Sequence, residues 1–96
     1  MKKLTRPQMK IGKFVLRYKQ HPYYDRFLHV NYSDQHGRLV EIMKISQLHM
    51  QRLSQNILAF INEDNSHDFN EAQTAELFYN FVDRIQEYDS HLDSMA

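Results

Sequence analysis

The sequence predicts an α+β domain in which a small antiparallel β-sheet of two or three strands packs on a C-terminal antiparallel two-helix hairpin. Three observations indicate this fold. Apolar residues alternate with polar ones in the N-terminal half, recur every three or four residues in the C-terminal half, and the two halves carry opposite charge. A mainly α-helical fold is the alternative, because parts of the N-terminal half also fit a helical period.

The segment IGKFVLRYK, which begins at Ile11, is predicted to form the first strand. Gly12 would cost a helix here about 1 kcal/mol relative to alanine, although Thr5 could cap such a helix. In a strand, successive side chains point to opposite faces. The core face would carry Phe14, Leu16 and Tyr18, and the outer face would carry Lys13, Arg17 and Lys19.

His21 and Pro22 mark a break, since the residue before a proline is pushed out of the helical conformation. The segments RFLHVNY and RLVEIMKI follow, on either side of SDQHG, and this pattern is typical of a β-hairpin. Alternation places Leu28, Val30 and Tyr32 on the core face and Phe27, His29 and Asn31 on the outer face. The seven-residue spacing of Leu39, Ser46, Leu53 and Phe60 would instead fit one helix over residues 39–61.

Two helices are predicted after residue 45. The first would begin at Ser46 as its cap and bury one apolar face, formed by Met50, Leu53, Ile57, Phe60 and Ile61. The second, over residues 71–92, would begin with a capping box of Asn70 and Gln73. Asp89 and Asp93 near its C-terminus are unfavourable there, so we expect a cation beside them.

The composition indicates one domain of 96 residues, with a basic β-rich layer over residues 1–45 and an acidic helical hairpin over residues 46–96. Residues 1–44 carry ten basic and three acidic side chains, and the remainder carries two basic and nine acidic ones. There is no cysteine, no apolar stretch typical of a signal peptide and no run long enough to span a bilayer. We therefore expect a cytoplasmic protein without a membrane partner.

No catalytic, metal or cofactor motif is evident. The six histidines include no pair spaced three or four residues apart on a predicted helix. The loop from Asp64 resembles a calcium loop only in part, because Phe69 and Ala75 occupy the positions that need glycine and glutamate. We therefore expect a protein that is not an enzyme and needs no cofactor.

The leading functional hypothesis is an adaptor or inhibitor that binds a protein or nucleoprotein through both the helical hairpin and the basic sheet. Arg52 is the only charged residue between Ile45 and Asn62, and a polar but uncharged surface is easier to desolvate than a charged one. The predicted partner-binding residues are Lys13, Arg17, Lys19, Gln51, Arg52, Gln55, Glu76, Asp83 and Glu87.

The alternative is a small nucleic-acid-binding regulator that uses the outer face of the sheet. Cations neutralise phosphates and exposed rings stack on unpaired bases. The residues predicted for this role are Lys13, Arg17, Lys19, Arg26, Phe27 and His29. The opposite charges of the two halves also allow a homo-oligomer.

Overall fold

The computed structural model describes residues 5–20 and 26–95, and these have the predicted α+β fold. Four antiparallel strands lie in sequence order: β1 (Gln8–Ile11), β2 (Phe14–Gln20), β3 (Arg26–Ser33) and β4 (Leu39–Ser46). A 3-10 turn, Gln47–His49, leads into helix α1 (Met50–Glu63), and helix α2 (Glu71–Met95) follows. The sheet thus has more strands than the predicted two or three, and the predicted break at His21 and Pro22 lies outside the described residues.

The additional strand arises at Gly12, which was predicted to lie inside a single strand. Gly12 and Lys13 instead form a two-residue turn between β1 and β2, with Ile11 paired to Phe14. Gly12 has a φ of +57°, and glycine is favoured at the first position of such a hairpin turn. A Cβ atom here would collide with the Ser66 hydroxyl and lie 3.0 Å from its carbonyl oxygen.

The predicted hairpin between β3 and β4 is confirmed. The Asp34 carboxylate accepts hydrogen bonds from the backbone N–H groups of His36 at 2.8 Å and Arg38 at 2.9 Å. The single helix over residues 39–61 is wrong, because residues 39–46 pair with β3 along their length. Ile42 has no Cα partner in β3 and forms a bulge between Glu41 and Met43.

The core lies between the helices and one face of the sheet. The predicted core residues of β2 are buried, as are Leu28 and Val30, while Tyr32 is partly buried. The buried residues that the helices contribute are Met50, Ile57, Ile61, Thr74, Phe78, Phe81, Ile85 and Asp89. Phe60, predicted to face the core, is 45% exposed. It lies about 100° round the helix from Ile61, and Ile61 is central to the buried face.

The start of α2 forms the predicted capping box. The Asn70 side chain accepts from the Gln73 backbone N–H at 2.8 Å, and the Gln73 side chain accepts from the Asn70 N–H at 3.0 Å. Ser46, in contrast, makes no capping bond, because its hydroxyl is hydrogen-bonded to His49 Nδ1 at 2.8 Å. Within residues 5–20 and 26–95, no helix has the length and apolar character required to cross a membrane.

Candidate protein-binding site

A cleft of about 550 Å³ separates the N-terminal part of α1 from α2. Its floor is apolar and consists of Met50, Val82 and Ile85, which belong to the core or pack against it. The uncharged polar side chains of Gln51, Ser54 and Gln86 line its walls. The cleft is therefore an opening through which the hydrophobic core reaches the surface.

Two large apolar side chains stand at this cleft. Leu48, in the 3-10 turn, is 82% exposed, and Tyr79 of α2 is 47% exposed. Exposed apolar residues grouped at a depression are typical of interaction sites, whereas isolated ones are ordinary. The sequence did not identify either residue, because Leu48 lies between two regular elements and Tyr79 lies outside the apolar period of α2.

A buried carboxylate holds the 3-10 turn in place. Asp89 of α2 accepts hydrogen bonds from the Tyr18 hydroxyl at 2.9 and 3.0 Å, from Arg26 Nη1 at 2.9 Å and from Gln47 Nε2 at 2.9 Å. Burial and the bond to Asp89 raise the pKa of Tyr18, so its hydroxyl stays protonated and donates. Because Gln47 directly precedes Leu48, this cluster fixes one side of the cleft.

Arg26 supplies the cation that Asp89 and Asp93 were expected to need. Its Nη2 lies 2.7 Å from Asp93 Oδ1, and this hydrogen bond, with the one to Asp89, raises the pKa of Arg26. Arg26 therefore lies on the helix-facing side of β3. It does not share the outer face of the sheet with Phe27 and His29, its predicted companions in nucleic-acid binding.

The predicted residues of the helical hairpin lie near the cleft or beside it. Gln51 and Asp83 line it. Glu76, Asp83 and Glu87 follow one exposed ridge of α2, which we call the acidic stripe. Arg52 and Gln55 are exposed on α1 but do not line the cleft.

The predicted basic residues lie on the opposite side of the molecule. Arg17 and Lys19 of β2 are on the outer face of the sheet, beside His29 and Phe27 of β3. Lys44 of β4, paired with His29, adds a cation that was not predicted for this face. Lys13 lies apart from these residues, in the turn between β1 and β2. The nine predicted partner-binding residues thus do not form one continuous surface.

Side chains of the outer face contact one another extensively. Lys44 Nζ lies 4.5 Å from the centre of the Phe27 ring, and His29 Nε2 lies 2.7 Å from Glu41 Oε1. Arg17 Nη2 donates to Asn31 Oδ1 at 3.3 Å. Asn31 was predicted to be presented by this face but is only 5% exposed. These contacts leave less of the face free for a ligand than the sequence indicated.

Comparison with known proteins gave no match to a family model, a curated protein or a solved structure. Within the residues that the structure describes, no three histidine, aspartate or glutamate side chains are grouped to hold a metal ion.

Proposed function

We propose that this protein is a non-enzymatic cytoplasmic adaptor or inhibitor that binds a protein, alone or within a nucleoprotein, through the cleft between α1 and α2. The observation that carries the proposal is the exposure of Leu48 and Tyr79 beside an apolar floor. A few residues packed in a desolvated pocket, tyrosine common among them, typically supply most of the binding energy of a protein interface. The cytoplasmic location rests on the absence of cysteine.

The partner's chemistry follows from the cleft and its surroundings. An apolar side chain of the partner would insert between Leu48 and Tyr79 and displace water from the floor. Gln51, Ser54 and Gln86 in the walls are uncharged and can hydrogen-bond the partner's backbone, while Asp83 adds a negative charge at the cleft. The acidic stripe favours lysine or arginine next to the inserted residue. The expected ligand is therefore a segment with an apolar anchor and basic neighbours.

A random peptide display library selected on the wild-type protein tests this proposal. The recovered peptides should share a large apolar residue flanked by lysine or arginine. Leu48→Ser and Tyr79→Ser should each raise the Kd of such a peptide about tenfold or more, since each removes burial of a large apolar side chain. Asp83→Lys should weaken binding most at low salt.

Lys19→Glu is the matched control, because Lys19 lies on the outer face of the sheet. It should leave the Kd unchanged. Peptides without this pattern, or binding that Lys19→Glu abolishes and the cleft variants spare, would contradict the proposal.

Nucleic-acid binding is a second candidate, favoured by the cations on the outer face of the sheet. Arg17, Lys19 and Lys44 project from this face beside the Phe27 ring. A mixed-sequence single-stranded oligonucleotide should bind at low salt and dissociate as salt rises, and Lys19→Glu with Lys44→Glu should weaken it. Leu48→Ser is the control here. If the wild-type protein shows no binding at low salt, this candidate is eliminated.

A further inference from the structure

Strand β4 forms an edge of the sheet. It pairs with β3 on one side, and no strand within residues 5–20 and 26–95 pairs with its other side. About every second residue of β4 therefore directs its backbone N–H and C=O groups away from β3, where no described strand pairs with them. Such an edge is a template for another strand, and folded proteins commonly protect it. The opposite edge, β1, has only four residues.

Apolar side chains are concentrated at this edge. Val40 is 49% exposed, and Leu39 and Ile42 are also exposed. Helix α1 contacts β4, and its residues Gln51 and Ser54 face α2 across the cleft. Phe60 lies about 120° round the helix from Ser54 and about 180° from Gln51, on the flank directed away from α2. The exposed ring of Phe60 and the edge strand are therefore on the same side of the molecule.

The bulge at Ile42 determines which strand can pair with this edge. Before the bulge, Glu41 is opposite Asn31 and shares the outer face of the sheet. After it, Lys44 is opposite His29 and shares the same face. A regular strand has no extra residue and would lose its register at the bulge. A second copy of β4 carries the same extra residue and can keep its register along the whole strand.

We propose that two copies of this chain associate through antiparallel pairing of their β4 strands. A two-fold axis between Ile42 and Met43 places Glu41 of each chain opposite Lys44 of the other, and Val40 opposite Ile45. Both members of each pair lie on the same face of the sheet, because the extra residue at the bulge puts positions three apart, such as Glu41 and Lys44, on one face. Opposite charges facing each other across strands stabilise this pairing, and like charges oppose it.

The remaining contacts of the edge are compatible with this arrangement. Glu41 uses Oε1 to bind His29, which leaves Oε2 for the second copy. Pairing would cover Val40 and Ile42 and bring the two α1 helices near each other. From Met50 to Asn62 the only charged residue of α1 is Arg52, so few like charges are brought together there. The cleft lies on the other flank of α1 and stays open.

Charge reversal tests the pairing with two variants whose mixture should recover the dimer that each variant alone loses, so a folding defect in one variant cannot imitate the expected result. We expect sedimentation equilibrium of the wild-type chain to show a mass rising with concentration towards twice 11.6 kDa. Glu41→Lys places two lysines opposite each other in both pairs, and Lys44→Glu places two glutamates there. Each variant alone should remain monomeric, whereas an equimolar mixture should dimerise, because every lysine then faces a glutamate.

Two further variants separate this interface from other surfaces. The double variant Glu41→Lys, Lys44→Glu should dimerise, although it loses the contacts of both residues within the chain. Leu48→Lys, at the cleft, should leave the dimer intact. A wild-type chain that stays monomeric at all concentrations, single variants that dimerise, or a mixture that stays monomeric would each overturn the proposal.

Discussion

At the scale of single residues, Asp64 organises the connection between the helices. Its carboxylate accepts a hydrogen bond from the Ser66 backbone N–H at 2.7 Å and another from the Ser66 hydroxyl. The same hydroxyl accepts from the Lys13 backbone N–H at 2.9 Å. Asp64 therefore links the α1–α2 loop to the turn between β1 and β2, where Gly12 leaves room for Ser66.

This arrangement makes part of the stability depend on pH. Burial raises the pKa of Asp64, but the hydrogen bonds from Ser66 and the neighbouring Tyr32 hydroxyl outweigh it and hold the pKa below its ordinary value. A group with a depressed folded pKa contributes stability above its unfolded pKa, and that contribution is lost as the pH falls through the folded value. Asp64 should thus stabilise the protein at neutral pH and cease to do so in acid.

Asp64→Asn is therefore expected to lower the free energy of unfolding at neutral pH, and the difference from wild type should shrink as falling pH protonates Asp64. Urea denaturation at several pH values measures it. Asp68→Asn, at an exposed position in the same loop, is the matched control and should give a small difference. A difference for Asp64→Asn that stays constant with pH would show that the carboxylate charge is not responsible.

At the scale of elements, local patterns predict most of the fold. Alternation identifies the core residues of β2 and β3. The apolar period of α2 and its capping box predict the first residue of that helix correctly and its last residue to within three positions. Each pattern depends on residues a few positions apart. The competing helix over residues 39–61 fits its own pattern equally well, and only pairing with β3 excludes it.

The features that could not be predicted depend on contacts between distant residues. Gly12 lies in a turn because Ile11 pairs with Phe14 and Ser66 packs against the turn. The bulge at Ile42 exists only relative to β3. Phe60 is exposed because α1 packs on the core through Ile57 and Ile61. The spacing of the apolar residues in α1 does not determine by itself which of them face the core.

The candidate site shows the same division. Gln51 and Asp83 could be selected because they belong to exposed polar faces of predicted helices. Leu48 and Tyr79, which carry the proposed binding, become recognisable only when the 3-10 turn is placed against α2. An exposed leucine in a short connection has no distinguishing pattern in the sequence.

At the scale of the whole molecule, the two charged layers turn away from each other. The basic residues of β2 and β4 point from the outer face of the sheet, and the acidic stripe points from the far side of α2. Between the layers lies an apolar core. Opposite charges of the two halves do meet at Arg26, whose guanidinium crosses to the helices. The overall charge of zero therefore describes a molecule with two oppositely charged surfaces.

The cluster around Asp89 is a buried polar connection between these layers, and its removal should destabilise the whole protein. Asp89→Asn replaces a buried carboxylate that accepts from three side chains and leaves Tyr18, Arg26 and Gln47 competing for one amide oxygen. We expect a loss of about 3 kcal/mol in the free energy of unfolding, since one partner of a buried ion pair is removed. Asp93→Asn removes a carboxylate that is 68% exposed and should cost about 0.2–1 kcal/mol. Guanidinium denaturation of the two variants at neutral pH measures both losses of unfolding free energy. Equal losses would mean that Asp89 contributes no more to stability than the exposed Asp93.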